Sequence, residues 1–325
     1  KKNKSSNGLI VPTYGESTAL GFYLLGGGYY HQFKRGRLNT LFTGDIYSKG
    51  TWGLSNATAY KVRYKYNGQF QINYRNVVQG ERQFSDFSQS REFFVRWRHN
   101  NDPKFNPGSS FKALINAGTS NNFRNDYNNI SASNYLTNTF NSNISWSKQF
   151  KKAISSNINI NARHSQNSNT EIMTFSIPEI SYNVNRFYPF KMLRKTSINK
   201  NFIHEIINQT NLNYQLNTKN EISLNSESLL NNSFNDLLDK SRNGMKHNVS
   251  ASTSIKLFGK NLTINPAYQL SSYWYLDQVN KSWDNLNNEV INDTVNQFSQ
   301  LYSQNLSASA TTKIYAFYQF AKFLQ

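Results

Sequence analysis

Apolar and polar side chains alternate one by one along most of this sequence, and that pattern restricts the chain to β-structure. In one run, Phe70, Ile72 and Tyr74 alternate with the polar residues Gln71 and Asn73. Similar runs occur near residues 140–150, 154–163, 212–216, 249–257, 262–270 and 306–318. A period of two places successive side chains on opposite faces of a strand, so each strand has one apolar and one polar face.

The composition favours a membrane barrel over a water-soluble β-fold. Hydrophobic residues are 37% of the chain, below the roughly 45–50% of globular domains, while aromatic residues reach 15%. A transmembrane β-barrel explains both values, because it presents an apolar band with aromatic girdles to lipid and a polar face to a wet lumen. No run of 18 apolar residues is present, but barrel strands need only about 9–11 residues.

We therefore predict an all-β fold, an antiparallel transmembrane β-barrel with about 12–15 strands in this chain. The aromatic residues predicted to face lipid are Tyr64, Phe70, Tyr74, Trp146 and Phe150, and those predicted to face the lumen are Gln71, Asn73, Arg75, Asn141 and Asn143. A soluble β-sandwich or β-solenoid is the alternative, although no internal repeat is visible.

The connections between runs also fit a barrel. Short turns predicted at 67–69, 151–153 and 258–261 join runs without exchanging their faces. Longer polar connections are predicted at 77–87, 120–134, 229–245 and 276–296. Short turns that alternate with long loops are typical of outer-membrane barrels. The alternation fails between Arg186 and Asn217, where Pro189 and a basic stretch interrupt it, and the strand count is expected to be off by one element there.

The chain lacks the residue patterns of an enzyme. It contains no cysteine, and its five histidines are scattered without the spacing that metal ligation requires. Neither a Gly-x-Ser-x-Gly elbow nor a phosphate-binding glycine loop occurs. We therefore expect no catalytic activity, no metal and no cofactor.

The net charge of +18 has two interpretations, a basic solvated surface or a ligand that carries phosphate. No RNP1 or zinc-finger motif is present, so we expect no nucleic-acid partner. Six basic residues are candidates to contact the phosphate of such a ligand in the lumen: Lys61, Arg63, Lys65, Arg75, Arg96 and Arg98. They are predicted to share strand faces with polar residues, and a basic lumen without a ligand role is the alternative.

The segment 8–30 is predicted to be the most weakly paired part of the β-sequence. It consists of two extended pieces, 8–17 and 21–30, with a turn predicted at 15–17. Pro12 has no N–H to donate to a neighbouring strand, and Gly26, Gly27 and Gly28 bring no side chains to cross-strand pairs. An ordinary N-terminal loop is the alternative.

Residues 8–60 resemble the opening of the barrel in the LptD family of outer-membrane lipopolysaccharide-assembly proteins. The family pattern Gly-Phe/Leu-Leu-x-Pro-Thr-x-Gly-x-Ser is matched at 8–17, and a Gly-Phe-x-Leu segment that ends in a Tyr-Tyr pair is matched at 21–30. A Ser-Lys-x-Gly-type turn and the following strand are similar to 47–60, and 177–190 resembles a stretch found in some branches of the family. Gly28 departs from the pattern, because the family often has a second proline there.

The resemblance implies both a domain organisation and a function. Residues 1–325 would be the N-terminal part of a large outer-membrane barrel, with 8–30 as its gate-forming first strands and with the N-terminal jellyroll and the C-terminal barrel strands absent. Lipopolysaccharide would pass to the outer leaflet through a lateral gate that includes Pro12, Gly26, Gly27 and Gly28. The implied location is the outer membrane of a Gram-negative bacterium.

The implied partners are lipopolysaccharide, an LptE-like lipoprotein plug, the periplasmic Lpt bridge acting through the jellyroll, and outer-membrane lipids. Two other functions stay open from the residues alone. One is a generic outer-membrane porin or uptake channel, whose first strand should be uninterrupted. The other is a surface adhesion protein without a channel.

Overall fold

The computed structural model describes residues 7–33, 36–119, 139–167, 170–193, 202–225, 241–258, 261–285, 288–312 and 314. Within these ranges the chain is almost entirely strand, with two short helices at Pro189–Leu193 and Phe202–Gln209. The strands are β1 (Gly8–Ile10), β2 (Thr13–Ser17), β3 (Gly21–Phe33), β4 (Leu38–Tyr47), β5 (Trp52–Val62), β6 (Tyr66–Gln79), β7 (Ser88–Asn101), β8 (Ser109–Gly118), β9 (Thr139–Phe150), β10 (Ser156–Asn167), β11 (Ile172–Phe187), β12 (Asn211–Asn225), β13 (Arg242–Ser252), β14 (Ile255–Leu257), β15 (Leu262–Tyr275), β16 (Gln278–Asp284), β17 (Glu289–Val295) and β18 (Ser299–Thr312). Neither of the described helices is long and apolar enough to cross a membrane.

Most of the strands form one antiparallel sheet of 16 strands. Its order is β1-β3-β4-β5-β6-β7-β8-β9-β10-β11-β12-β13-β15-β14, with β2 also paired to β3 and β18 to β15. Strands β16 and β17 form a separate two-stranded sheet. Most strands bond to the strand next to them in sequence, as connected antiparallel strands do. The predicted all-β antiparallel fold is confirmed.

Two of the strand breaks leave the register unchanged. Ile10 lies opposite Gly28 and Thr13 opposite Leu25, so β1 and β2 meet β3 as one interrupted strand. Strands β13 and β14 likewise keep a single register against β15. Counting each interrupted strand once leaves 14 strands in the 16-stranded sheet, which agrees with the number predicted from the sequence.

The described residues fall into two compact units. The first lies within Lys1–Lys148, Asn159–Glu179 and Lys219–Arg242, and the second within Gln149–Ile158, Ile180–Thr218 and Asn243–Gln325. The candidate site described below lies in the first unit.

The sheet in the first unit has an apolar face and a polar face, which the register across β5, β6 and β7 defines. Directly opposed residues on the apolar face are Leu54, Tyr74 and Phe93, then Asn56, Ile72 and Val95, then Thr58, Phe70 and Trp97. Those on the polar face are Ser55, Asn73 and Phe94, then Ala57, Gln71 and Arg96, then Ala59, Gln69 and Arg98. Phe94 is the exception on the polar face, where it is buried beside Phe140 with ring centroids 6.3 Å apart.

The predicted assignment of aromatic residues to one face holds for the strand residues. Phe70 and Tyr74 lie on the apolar face. Trp146 pairs with Phe111 on the same face, and Phe150 follows at an even spacing along β9. The polar face holds Gln71, Asn73 and Arg75 as predicted, and Asn143 joins it opposite Leu114. The ladder between β8 and β9 covers Asn143–Lys148, so the assignment of Asn141 stays a prediction.

The assignment of Tyr64 to a strand face is wrong. Tyr64 lies in the turn between β5 and β6 with a φ of 62°, a left-handed conformation that belongs to turns. The turn predicted at 67–69 is also wrong, because Gln69 lies inside β6 and pairs with Ala59. The chain reverses at 63–65, where Lys65 N–H donates to Val62 C=O at 3.0 Å. A shift by an even number of residues leaves both faces unchanged, so the alternation could not locate this turn.

The other two short turns lie close to their predicted places. The turn at 258–261 is confirmed, because Leu257 pairs with Leu262 across it. The connection predicted at 151–153 begins after Phe150 as expected but continues to Ser155, so Ile154 lies outside the strand.

One of the predicted long connections contains two strands that the sequence did not predict. The connection 77–87 begins after Gln79, whereas 120–134 and most of 229–245 lie outside the described residues. The connection 276–296 contains the hairpin of β16 and β17, in which Trp283 pairs with Val290. The sequence did not predict this hairpin, because polar residues stand on both of its faces.

The two short helices account for the irregular region between Arg186 and Asn217. Pro189 begins the first helix, where a backbone N–H would have no helical partner. In the second helix, Ile206 C=O accepts a hydrogen bond from Thr253 Oγ1 at 2.9 Å. This bond attaches the helix to the break between β13 and β14.

The turn that joins β4 to β5 is held by a buried hydroxyl group. Thr51 is 2% exposed. Its Oγ1 accepts a hydrogen bond from Val78 N–H at 2.9 Å and donates one to Val78 C=O at 3.0 Å. The side chain therefore takes the place of a backbone partner at the end of β6.

We expect Thr51→Val, which keeps the side-chain shape but removes the hydroxyl, to lower the free energy of unfolding by about 1–3 kcal/mol. Thr51→Ser keeps the hydroxyl and should be less destabilised. Urea unfolding in detergent micelles, followed by tryptophan fluorescence, measures both. An unchanged midpoint for Thr51→Val would show that the hydroxyl does not hold this turn.

Candidate functional site

Strands β1 and β2, together called the edge strand, form one border of the sheet. In the described part of the chain they bond only to β3. The ladder runs over Gly8–Ile10 and Thr13–Ser17 and is interrupted at Val11 and Pro12. Because proline has no backbone N–H, Pro12 cannot supply a ladder hydrogen bond.

The turn between the edge strand and β3 lies at 18–20, so the prediction of a turn at 15–17 is wrong. Leu20 N–H donates to Ser17 Oγ at 3.4 Å in this turn. Gly15 remains in β2 opposite Tyr23. A side chain at residue 15 would collide with the Tyr23 ring, so close packing requires this glycine.

Gly26 lies opposite the interruption in the edge strand. It also interrupts the ladder between β3 and β4. Between β3 and β4, Leu25 and Gly26 together oppose the single residue Asp45, which defines a β-bulge. Gly26 has a φ of 69°, in the left-handed region that favours glycine. Its N–H donates to Asp45 Oδ1 at 2.8 Å instead of to a strand. Strand β3 is therefore irregular toward both neighbours at the same level.

Gly27 and Gly28 each lie at a close contact, and the contact at Gly28 excludes a side chain. A Cβ at residue 27 would lie 3.1 Å from the Cβ of Pro12, whose ring packs over that position. A Cβ at residue 28 would lie 1.9 Å from the Phe42 carbonyl oxygen. Gly28 thus permits β3 and β4 to approach closely, and a larger residue there would separate the two strands.

A groove on the apolar face begins beside the edge strand. Gly27 and Gly44 are directly opposed on β3 and β4, so two neighbouring positions of this face carry no side chain. The groove is an open cavity of about 810 Å³. Its almost wholly apolar walls include Leu9, Pro12, Tyr29, Phe42, Leu54 and Tyr74. We call it the glycine trough.

The six candidate basic residues fall into two groups. On the polar face, Lys61 is opposite Asn67, Arg75 opposite Glu92, Arg96 opposite Gln71, and Arg98 opposite Gln69. Arg63 and Lys65 lie in the turn 63–65 and have no strand face, contrary to the prediction. Their cationic groups lie 4.8 Å from the Tyr64 ring centre and 5.5 Å from the Phe105 ring centre, respectively.

Lys61 and Arg98 border one pocket on the polar face, which we call the basic pocket. Its volume is about 410 Å³, and it is also lined by Asn39, Asn67, Gln69 and Asn100, without an acidic side chain among its described lining residues. Asn39 Oδ1 is buried and has no hydrogen-bond partner within the described ranges. Cations and amides in one pocket are suited to phosphate and hydroxyl groups.

An aromatic cluster on the apolar face was not found from the sequence. Trp97 Nε1–H donates to the Tyr60 hydroxyl at 2.8 Å, so that hydroxyl can donate to His99 Nδ1, also at 2.8 Å. The His99 Nε2 group then donates to Asn101 Oδ1 at 2.9 Å. Among the described residues, no three His, Asp or Glu side chains are grouped so as to hold a metal ion. The three hydrogen bonds connect His99 with aromatic residues at the strand ends near 63–65.

We expect Asp45→Ala to remove the acceptor for Gly26 N–H and to lower the free energy of unfolding by about 1–2 kcal/mol. Asp45→Asn, which keeps an oxygen at this position, is the matched control and should retain most of the stability. Urea unfolding in micelles measures both variants. Equal stability of Asp45→Ala and the unaltered protein would show that the carboxylate does not support the bulge.

Comparison with known proteins gives a family match over the whole chain and a weak structural match. No curated protein matches the sequence. The crystal structure of OccK11 (OpdR) from Pseudomonas aeruginosa matches 94% of this chain and 94% of its own, with 9% identity and a TM-score of 0.24, a likeness too slight to carry an argument.

The sequence model of the family described as LptD protein matches residues 1–325. The match confirms the resemblance seen in residues 8–60 and extends it over the full sequence. The chain therefore belongs to the LptD protein family, and so to the bacterial outer-membrane proteins of lipopolysaccharide transport.

Proposed function

We propose that this chain moves lipopolysaccharide into the outer leaflet of the outer membrane of a Gram-negative bacterium through a laterally gated β-barrel. The observation that carries the proposal is the interrupted edge strand, in which Pro12 faces the bulge at Gly26. The proposed reaction breaks no covalent bond, so the protein acts as a transporter and not as an enzyme.

The edge strand supports a gate on energetic grounds. A closed barrel pairs every strand on both sides, so lateral exit requires a border that separates at low cost. Each missing backbone hydrogen bond weakens such a border by about 1 kcal/mol. Pro12 removes one donor, and the bulge at Gly26 makes β3 irregular at the same level. The gate lies between the edge strand and a further barrel strand of the complete protein.

The apolar face supports contact with lipid. Its large side chains are exposed, with Phe42 at 54% and Leu54 at 59%. A soluble protein rarely exposes an apolar surface of this extent. The aromatic cluster of Tyr60, Trp97 and His99 combines apolar rings with polar atoms, as aromatic belts at membrane interfaces do.

The polar face supports passage of the sugar and phosphate part of the lipid. It carries Lys61, Arg96 and Arg98, and the basic pocket offers amide groups beside two of these cations. In the proposed mechanism these groups contact phosphates while the acyl chains stay on the apolar side of the border.

The proposed partners follow from the family. Lipopolysaccharide arrives from the periplasmic Lpt bridge through a jellyroll, an LptE-like lipoprotein occupies the lumen, and outer-membrane lipids surround the apolar face. Residues 1–325 serve in this proposal as the gate-bearing part of the barrel domain.

We expect Pro12→Ala to restore one backbone donor and to slow lipopolysaccharide delivery roughly fivefold, which corresponds to about 1 kcal/mol. The measurement is delivery to proteoliposomes that contain the complete protein with its transport partners. Solute conductance without lipopolysaccharide delivery by the unaltered protein would indicate a porin and contradict the proposal.

Pro266→Ala is the matched control for this variant. Pro266 also interrupts a ladder, but it lies in β15 between strands on both sides, opposite Ala308 of β18. Restoring its donor should not slow delivery. Equal slowing by both variants, or no slowing by Pro12→Ala, would place the gate elsewhere.

We expect the double variant Lys61→Gln with Arg98→Gln to slow delivery roughly two- to thirtyfold, because exposed charge pairs contribute about 0.2–1 kcal/mol each. Arg91→Gln removes a charge from the apolar face, where Arg91 is opposite Asn76, and should deliver normally. Delivery at the unaltered rate by the double variant would leave these residues as lumen lining without a ligand role.

A further inference from the structure

The glycine trough is an apolar cavity beside the edge strand, and its shape follows from two missing side chains. Adjacent strands lie about 4.8 Å apart, and neighbouring positions on this face normally carry large residues. Gly27 and Gly44 are directly opposed and leave the floor bare. Tyr29 and Phe42, also directly opposed, form one wall of the trough.

The trough begins at the same residue that interrupts the edge strand. The Pro12 ring packs over Gly27 at one end, and Leu54 lies against Gly44 at the other. A hydrocarbon group that crosses the border at Pro12 would therefore meet the trough next. At about 810 Å³ the trough has the size of a typical small-molecule site, which is about 300–1,000 Å³.

The walls select for hydrocarbon. The residues that line the trough are mainly Leu, Ile, Pro, Phe, Tyr and Gly, with Thr43, Ser55 and Asn56 as the other members and no charged residue among them. A phosphate or sugar group would lose its water there without gaining a charged partner. The basic groups that suit phosphate lie on the opposite face of the same sheet, where Arg96 and Arg98 project from β7.

We propose that the glycine trough binds a fatty acyl chain of lipopolysaccharide as the lipid leaves the barrel beside Pro12. This inference rests on the proposed function and adds a subsite to it. The acyl chain lies along the floor of Gly27 and Gly44, between Pro12 and Leu54. The subsite keeps the chain against the outer side of the sheet while the head group is still on the polar side.

The test uses lipopolysaccharide whose acyl chain carries a photoreactive diazirine, with the complete protein and its partners in proteoliposomes. Adducts are located by mass spectrometry after irradiation during delivery. We expect them on Tyr29, Phe42 and Leu54. A phospholipid with the same diazirine chain is the comparison, and it should label these residues several-fold less.

Filling the trough should block the subsite. Gly44→Leu adds bulk where a Cβ would have only ordinary contacts, at 3.5 Å from Leu54 Cδ2. We expect a several-fold loss of labelling at Leu54 and slower delivery. Ala57→Leu adds three of the same four side-chain carbons to an exposed position on the polar face of β5 and should change neither.

Equal labelling by lipopolysaccharide and phospholipid would mean that ordinary membrane lipid fills the trough, and would overturn the inference. Labelling unchanged in Gly44→Leu would mean that the acyl chain does not lie in the trough, and would also overturn it. If the unaltered protein delivers lipopolysaccharide without labelling the trough, the inference fails and the proposed function stands. If it delivers none, both fail. The labelling of unaltered protein does not depend on whether a variant folds.

Discussion

The structure depends on the pairing of backbone N–H and C=O groups between neighbouring strands. In a lipid surrounding each unpaired group costs several kcal/mol, so a spanning sheet must satisfy its backbone internally. Where the ladder is irregular, a side chain supplies the missing partner. Asp45 accepts from Gly26 in the bulge, and Thr51 bonds both groups of Val78. These side-chain hydrogen bonds let the sheet bend or break locally without leaving backbone polar groups exposed to an apolar phase.

Proline interrupts the sheet in two places, with different results. Thr253 N–H donates to Pro266 C=O at 3.2 Å, but Pro266 has no N–H to donate in return, and the strand breaks between β13 and β14. Strand β15 still has β18 on its other side, and Thr253 Oγ1 bonds the helix carbonyl of Ile206. Pro12 instead lies in a border strand that bonds only to β3 in the described ranges. Inside the sheet, the bonds on both sides of Pro266 compensate for the missing proline N–H. At the edge strand, nothing in the described ranges does so for Pro12.

The three consecutive glycines show how far the sequence could define the candidate site. Together with Pro12 they made a weakly paired segment predictable, since they lack side chains for cross-strand pairs and proline lacks an N–H. Their separate roles were not predictable. Gly26 forms a bulge, Gly27 receives the Pro12 ring, and Gly28 lets β3 approach Phe42. The last role strengthens pairing with β4, so only part of the glycine run weakens the sheet.

The sequence by itself determined the all-β fold and the two faces, because side-chain alternation is a local consequence of strand geometry with a period of two. It also determined the family, through the motifs in residues 8–60. It did not determine where β5 turns into β6, since an even shift preserves both faces. Only the tertiary structure decided which distant residues meet. Asp45 reaches Gly26 across 19 residues and Tyr60 reaches His99 across 39. Such contacts depend on strand register, which is set by all the pairs of a ladder together and not by any one segment.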